Sequence, residues 1–484
     1  MLRGASKMKL NQLKKVQPIV WILLTAFLIR LLLPLLAFIF TKEIGIFYGG
    51  DTPSYLVAAT ELIRTGRFTT GGFPELFRAP GFSLLLIPGL ISNRLELVMV
   101  SMQIVFSCLT VYLVFKIALI VFKNNKIATF CAFLYAIEPL SIVYTGKILT
   151  ETSFTFLLML LLYCFLVYVD QRSLNWLIAA AIVLAISAYV RPIAYYLPFL
   201  LSLVLVGLAI ARPNKKTILI HALIFFSISM GFIYLWNIRN KIVAGYSGFS
   251  SVAEVNLYYW HAAAVLVAKN GTYLLDQQAM LREQLQKALP PAAFEGNVFH
   301  ICACAPDYGS LSVLNYMREE AKKIIFSNFF IYFKLRLNGM INLLFNSTPW
   351  PYLTLLNFYK IGGFTDIVVP YETEFYRNGW LAGMFHYLTK TPPIVSITWL
   401  ILQINLLIYW LLTFVALPSK FFVKNTPALI LLTVAAYFVI ITGGPEGSSS
   451  RYRHPMMPII CIVAGYGLYL IMEKFKDKFN RETR

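Results

Sequence analysis

The sequence predicts an all-α polytopic membrane protein of about 10–13 transmembrane helices with a small, mainly helical extracytoplasmic loop region. Three observations carry this. The 484 residues are 58% hydrophobic and only 13% charged, whereas soluble domains average roughly 45–50% apolar and about 25% charged. The apolar residues gather into runs close to the roughly 20 needed to cross a bilayer. The formal charge of +20 falls mainly on alternate sides of those runs, as the positive-inside rule requires. Disordered, disulfide-scaffold and coiled-coil classes are excluded by composition. The basic excess suits cytoplasmic loops and anionic lipid headgroups, so no nucleic-acid partner is expected.

The first span, 20–40, follows a basic stretch with Lys7, Lys9, Lys14 and Lys15. It is too long for a signal peptide and lacks a cleavage site, so an uncleaved anchor is expected. Further spans are 95–122, 127–144, 150–169, 174–190, 193–210, 217–236, 394–417, 427–441 and 455–472, with additional candidates in 82–91 and 324–355. With the N-terminus cytoplasmic, one face collects Lys123, Lys126, Arg172, Arg212, Lys215, Lys216, Lys420, Lys424 and the basic tail. The opposite short turns hold only Lys147, Arg191, Arg451 and Arg453. Both termini are therefore expected in the cytoplasm of a plasma-membrane protein. The chain divides into an N-terminal module, 1–236, with a first outer loop at 41–94; a large outer or interfacial region, 237–393; and a C-terminal module, 394–484.

Within the large region, 276–289 and 310–325 have helical spacing; Ser310 is a cap candidate, with Leu311, Leu314, Ala321 and Ile325 on one face. Four cysteines, Cys108, Cys131, Cys164 and Cys461, lie in apolar runs and read as core. Cys302 and Cys304 share a polar loop with His300, too few ligands for a metal site.

The stretch 48–88 is the richest in chemistry. Asp51 follows Gly49-Gly50. Thr52 is a candidate cap and Pro53 a first helical residue, which leaves the Asp51 carboxylate free of capping; the alternative is that Asp51 is itself the cap. The helix would carry Leu56, Ala59, Leu62 and Ile63 toward lipid or protein and stop at Gly66. Arg78, in Phe77-Arg78-Ala79-Pro80-Gly81, is placed to hold a lipid phosphate at headgroup depth, or simply to snorkel. Glu151 either serves the dipole of the next helix or faces the same cavity as Asp51. Lys147 and Arg191 stand at neighbouring outer turns, and Tyr55 lies one helical turn beyond Asp51. Arg451 and Arg453 sit on the outer face against the positive-inside trend, which calls for an anionic partner. Glu138 lies mid-span, where a charge requires burial in hydrogen bonds.

In order, Asp51, its helix, the Arg-x-Pro-Gly turn, Leu149-Thr150-Glu151, Arg191-Pro192, Trp236-Asn237-Ile238-Arg239-Asn240 and Arg451-Tyr452-Arg453 resemble an integral-membrane glycosyltransferase of the C-type fold. The pattern is similar to the bacterial protein O-mannosyltransferase and lipid A aminoarabinose transferase group. The resemblance implies transfer of a sugar from a polyprenyl-phosphate donor to a lipid, glycan or protein hydroxyl on the extracytoplasmic face. It implies Asp51 as general base, Arg78 on the donor phosphate, Glu151 in support, and Arg451 and Arg453 as phosphate or sugar contacts. Arg191, Lys147 and Tyr55 complete the expected substrate contacts. Protein mannosyltransferases commonly carry Asp-Glu in the first loop, whereas Thr52 follows Asp51 here, which leaves lipid and glycan acceptors open. The first loop has no Asp-x-Asp motif, and neither metal nor cofactor is expected. A lipid-linked sugar flippase, or a glycan polymerase or ligase, is the alternative reading of the same spans and arginines.

Overall fold

In a computed structural model of the chain, residues 18–210, 213–294, 310–360, 365–445 and 450–482 are described. The basic N-terminal stretch, Arg212, the loop with His300, Cys302 and Cys304, and Arg484 lie outside the described residues.

The N-terminal module runs α1 (Pro18–Thr41), α2 (Thr52–Thr65), a two-residue hairpin of β1 (Thr69–Thr70) and β2 (Phe73–Pro74), α3 (Pro80–Ile91), α4 (Leu95–Phe122), α5 (Asn125–Ala136), α6 (Pro139–Val143), α7 (Thr150–Gln171), α8 (Leu174–Val190), α9 (Leu197–Ile210) and α10 (Lys215–Ala244). The loop region holds α11 (Val252–Asn256), a π-helical turn (Leu257–Ala262), α12 (Ala263–Asn270), α13 (Leu274–Ala288), α14 (Leu311–Ser327), α15 (Phe329–Phe345), α16 (Trp350–Leu355), α17 (Thr365–Asn378) and α18 (Trp380–Thr389). The C-terminal module is α19 (Pro393–Ala416), α20 (Lys420–Lys424), α21 (Thr426–Thr442) and α22 (Met457–Glu482).

The protein is an all-α polytopic membrane protein. Every one of the ten expected spans falls on helix. Among the described residues seven helical segments are long and apolar enough to cross a bilayer, and the bent pair 125–136 and 139–146 makes an eighth. α8 and α21 are apolar but only 17 residues long, and α3 only 12. The segment 324–355 is divided among the end of α14, α15 and α16. Of the most apolar window in α7, 78% is buried, against 28% in α1; α7 is the post around which the bundle packs.

The break between α5 and α6, an angle of 55°, is built from two buried charges. Glu138 caps α6, accepting from the Leu140 and Ser141 amides at 3.0 and 2.6 Å. Arg30 of α1 is fully buried and donates to the freed Ala136 and Tyr135 carbonyls at 2.6 and 3.2 Å, and to Ser107 and Ser141 hydroxyls. A cation at a helix C-terminus and an acid at the next N-terminus both follow the helix dipoles. A break inside apolar surroundings is tolerated because its backbone groups are re-satisfied in this way.

Local expectations are corrected in two places, at the start of α2 and at Leu311 of α14. Helix α2 starts at Thr52, not Pro53. The Thr52 hydroxyl donates to the Ile148 carbonyl at 2.7 Å and accepts from the Gly49 amide, so it holds the loop against the next turn instead of capping. Asp51 occupies the cap position, yet its side chain makes no capping bond. The buried face of α2 is Tyr55, Ala58 and Ala59, with Ile63 exposed. In α14 the Ser310 hydroxyl does cap, accepting from the Val313 amide, but Leu311 lies outside the buried face, which Val313, Leu314, Met317, Ala321 and Ile325 form.

The loop after α1 and the large loop after α10 are stitched together. Arg239 donates to the Phe68 and Glu75 carbonyls at 2.7 and 2.6 Å, clamping both ends of the small hairpin. Asn240 holds the Gly248 and Phe249 carbonyls. The Ser250 hydroxyl donates to the Phe77 carbonyl and the Ser251 amide to that of Leu76. The large loop is thereby anchored to the residues directly before Arg78.

Candidate active site

A cavity of about 510 Å³ opens where these loops meet the ends of α3, α7 and α8. One wall carries Asp51, Tyr55, Arg78, Arg191, Arg451 and Tyr452.

Asp51 is held by two guanidiniums. Arg78 Nη2 donates to Oδ1 at 2.8 Å and Arg451 Nη1 to Oδ2 at 2.6 Å. Burial alone would raise the Asp51 carboxyl; Arg451 and Arg78 outweigh it and hold the group well below the usual carboxylate range.

Arg78 is fixed from several directions. Its Nε donates to Ser54 Oγ at 2.8 Å and its Nη1 to Tyr55 Oη at 3.2 Å. The guanidinium carbon lies 4.5 Å from the centres of both the Tyr55 and Phe77 rings, favourable cation–π geometry. The backbone beneath it is set by Glu75, whose Oε1 accepts from the Phe77 and Arg78 amides at 2.6 and 2.8 Å. Pro80 then opens α3, and Gly81 packs so close to α8 that a β-carbon there would come 2.6 Å from the Tyr189 carbonyl group. That contact seats the turn after Arg78 against the end of α8, next to Arg191.

Glu151 sits in the first turn of α7 and is fully buried. Its Oε1 receives Arg451 Nε and, at 3.2 Å, Arg191 Nη1. Glu151 thus touches Asp51 only through Arg451 and acts from behind the cavity wall. Arg191 also lies over the Tyr452 ring at 5.5 Å.

Two expected contacts are not brought to this cavity. Lys147 is buried and donates to the Ile46 carbonyl at 2.5 Å, and burial pushes its ammonium down to about 7. Arg453 donates to the Leu343 and Asn346 carbonyls, both at 2.7 Å, and ties α15 to the last turn. It lines a separate cavity of about 20 Å³ together with Glu138.

The opposite wall comes from the large loop and holds residues that local sequence patterns do not single out. Glu254 accepts from Tyr246 Oη at 2.8 Å and is paired with Arg318. His261 projects from the π-helical turn, with Nδ1 2.9 Å from Tyr332 Oη. Burial pushes this imidazole down to about 3, so it is neutral at physiological pH. π-helical turns recur at functional sites, and this one brings His261 to the cavity while Tyr258 and Tyr259 pack into the loop core. Among the described residues no group of three or more His, Cys, Asp or Glu is placed to hold a metal ion.

A second cavity, about 500 Å³ and almost wholly apolar, lies between α3, α7 and α8. Gly81, Leu85, Phe156, Ile186 and Tyr189 line it, and Val190 belongs to both cavities.

Comparisons with known proteins show which proteins this fold is similar to, and membrane glycosyltransferases stand among them. The model of the dolichyl-phosphate-mannose-protein mannosyltransferase family matches residues 82–236. The archaeal oligosaccharyltransferase AglB from Archaeoglobus fulgidus, solved with an inhibitory peptide and a dolichol-phosphate, superposes over 96% of this chain with a TM-score of 0.52 at 13% identity. The chain spans about half, 51%, of that protein's length. ArnT from Cupriavidus metallidurans, bound to undecaprenyl phosphate, aligns over 92% of this chain and 77% of its own, with a TM-score of 0.38 and 11% identity. No curated protein matches the sequence significantly.

Proposed function

We propose that the protein transfers a sugar from a polyprenyl-phosphate donor to a hydroxyl on a lipid, glycan or protein acceptor, at the extracytoplasmic face. The observation that carries this reading is one carboxylate, Asp51, set between Arg78 and Arg451 in a cavity at the end of an apolar bundle. The adjoining apolar cavity offers room for the first prenyl units, with the phosphate emerging at Val190 beside Arg191. Likeness to the mannosyltransferase family over 82–236, and the dolichol-phosphate in the archaeal enzyme of similar fold, support the donor class.

In this reading the acceptor oxygen attacks the anomeric carbon as the carbon–oxygen bond to phosphate breaks. The hydroxyl proton passes to Asp51, and polyprenyl phosphate leaves with the bonding electron pair. A single displacement inverts the anomeric centre. Guanidiniums already in place stabilise the charge that develops on phosphate. A carboxylate base contributes on the order of 10²–10⁴-fold. Arg78 and Arg451 are the phosphate-binding groups, Glu151 positions Arg451 and Arg191, and Tyr55 and Tyr452 flank the reacting centre.

The test is a purified, lipid-reconstituted protein given labelled polyprenyl-phosphate sugars and an extract of envelope acceptors. Release of polyprenyl phosphate coupled to a new glycoside is the expected result. Asp51→Asn should lower turnover by at least 100-fold while the thermal unfolding profile is kept. Passage of intact donor across the bilayer without glycoside formation would identify a carrier instead.

A further inference from the structure

The arginines available to hold the leaving phosphate are the same ones that hold the base. Each Asp51 oxygen faces a guanidinium, at 2.8 Å to Arg78 and 2.6 Å to Arg451. A carboxylate so paired is a weak proton acceptor, and a phosphate arriving in the cavity meets arginines already engaged. Resting on the donor class proposed above, we propose that Asp51 and the donor phosphate exchange these guanidiniums during the reaction: the phosphate draws Arg451 and Arg78 away as Asp51 takes the acceptor proton.

Charge balance supports the exchange. Among the described residues, the ion-pair network on the cavity wall sets three guanidiniums, Arg78, Arg191 and Arg451, against two carboxylates, Asp51 and Glu151, while Glu254 is paired separately with Arg318. His261 is neutral. One positive charge is left over, and a donor phosphodiester carries one negative charge, so the loaded site is neutral. After transfer the phosphate is a monoester, bearing up to two negative charges, and Asp51 carries the proton. The second negative charge on phosphate replaces the one lost from Asp51, and the site is neutral again. From donor binding to product formation, no uncompensated charge has to be held in partly buried surroundings, where it would be costly.

The scaffold is built for such a hand-over. Arg451 is anchored from its Nε side by fully buried Glu151, so its Nη1 end can leave Asp51 without the side chain losing its place. The second oxygen of Glu151, Oε2, is buried with no hydrogen-bond partner among the described residues. It is an acceptor in reserve for a guanidinium that shifts. Arg78 retains Ser54 and the Tyr55 and Phe77 rings when its Nη2 lets go of Asp51. Asp51 makes no capping bond that would be lost on protonation.

The experiment uses the full chain in nanodiscs and undecaprenyl phosphate as the probe. Asp51→Asn and Asp51→Ser each imitate the protonated base by removing its charge. Both should bind the probe about tenfold more tightly than the wild type, although both lose turnover. Arg451→Gln should bind it at least tenfold more weakly. Equal or weaker binding by folded Asp51→Asn and Asp51→Ser would overturn the exchange. Wild-type protein that binds undecaprenyl phosphate no better than phosphatidylglycerol would instead sink the donor assignment. The two failures are therefore distinguishable. Tighter binding without charge at Asp51 is not the result of a merely structural aspartate, whose loss would loosen the arginines and weaken the probe.

Discussion

Lys147 and Arg78 are both cations beside the first outer loop, and burial treats them differently. Arg78 meets a carboxylate, a hydroxyl, a phenol and two ring faces, so it stays charged at the cavity. Lys147 meets one carbonyl, and its ammonium falls to about 7 from an ordinary 10.5. The sign of the consequence follows from proton counting. Between about pH 7 and 10.5 the unfolded chain binds a proton at Lys147 that the native chain does not, so stability rises with pH across that window. Thermal unfolding in detergent should show the rise, and Lys147→Met should flatten it; an unchanged slope would mean that Lys147 stays protonated in the native state. Both lysine and arginine stood out in the sequence because basic residues are scarce on the outer turns. Which of the cations reaches the cavity was not legible, because Lys147 is drawn off by the Ile46 carbonyl and Arg453 by those of Leu343 and Asn346, far away in the chain.

At the scale of elements, the short helix α3 decides the geometry of the arginines. It begins two residues after Arg78 and touches α8 through Gly81, within two residues of Val190, the last residue before Arg191. Gly81→Ala pushes a methyl into the Tyr189 backbone, which cannot yield as a side-chain tip can. We expect a loss of stability of about 1–3 kcal/mol, the usual penalty for overpacking, and a fall in transfer rate of tenfold or more. Unfolding and transfer measured on the same preparation check it, and a variant normal in both would remove Gly81 from the geometry. The helical spans themselves were readable, since a bilayer forces long apolar runs and backbone bonds closed within each helix. The bend at Glu138 was only half readable. Pro139 and an acid mid-span signal a break, but its other half, Arg30, sits on a different helix and emerges only when α1 packs against α5. Glu254 and His261 were not readable at all. They lie on α11 and a π-helical turn, short elements whose composition resembles any loop, and their orientation is imposed by Arg318 and Tyr332.

Across the whole molecule, four stretches of chain converge on one end of the bundle. The loop after α1 brings Asp51 and Arg78, the end of α8 brings Arg191, the large loop brings Glu254 and His261, and the turn before α22 brings Arg451. The proposed orientation makes that end extracytoplasmic. A reporter inserted after Leu289, just beyond α13, should therefore read as outside the cytoplasm, with reporters on both termini reading as inside; a cytoplasmic signal at 289 would reverse the site's orientation and the donor leaflet with it.

The pairing of Glu151 with Arg451 joins residues 300 positions apart. In vectorial synthesis the acid enters the bundle with α7, whereas this cation emerges only with the turn before α22. Until then Arg191 is the one guanidinium of the pair available to Glu151, and Asp51 has Arg78 alone. A nascent chain stopped short of residue 450 would thus hold two acids and two arginines with no surplus positive charge for a phosphate. Under the proposed function, competence for an anionic lipid substrate is acquired only once the turn carrying Arg451 has been made.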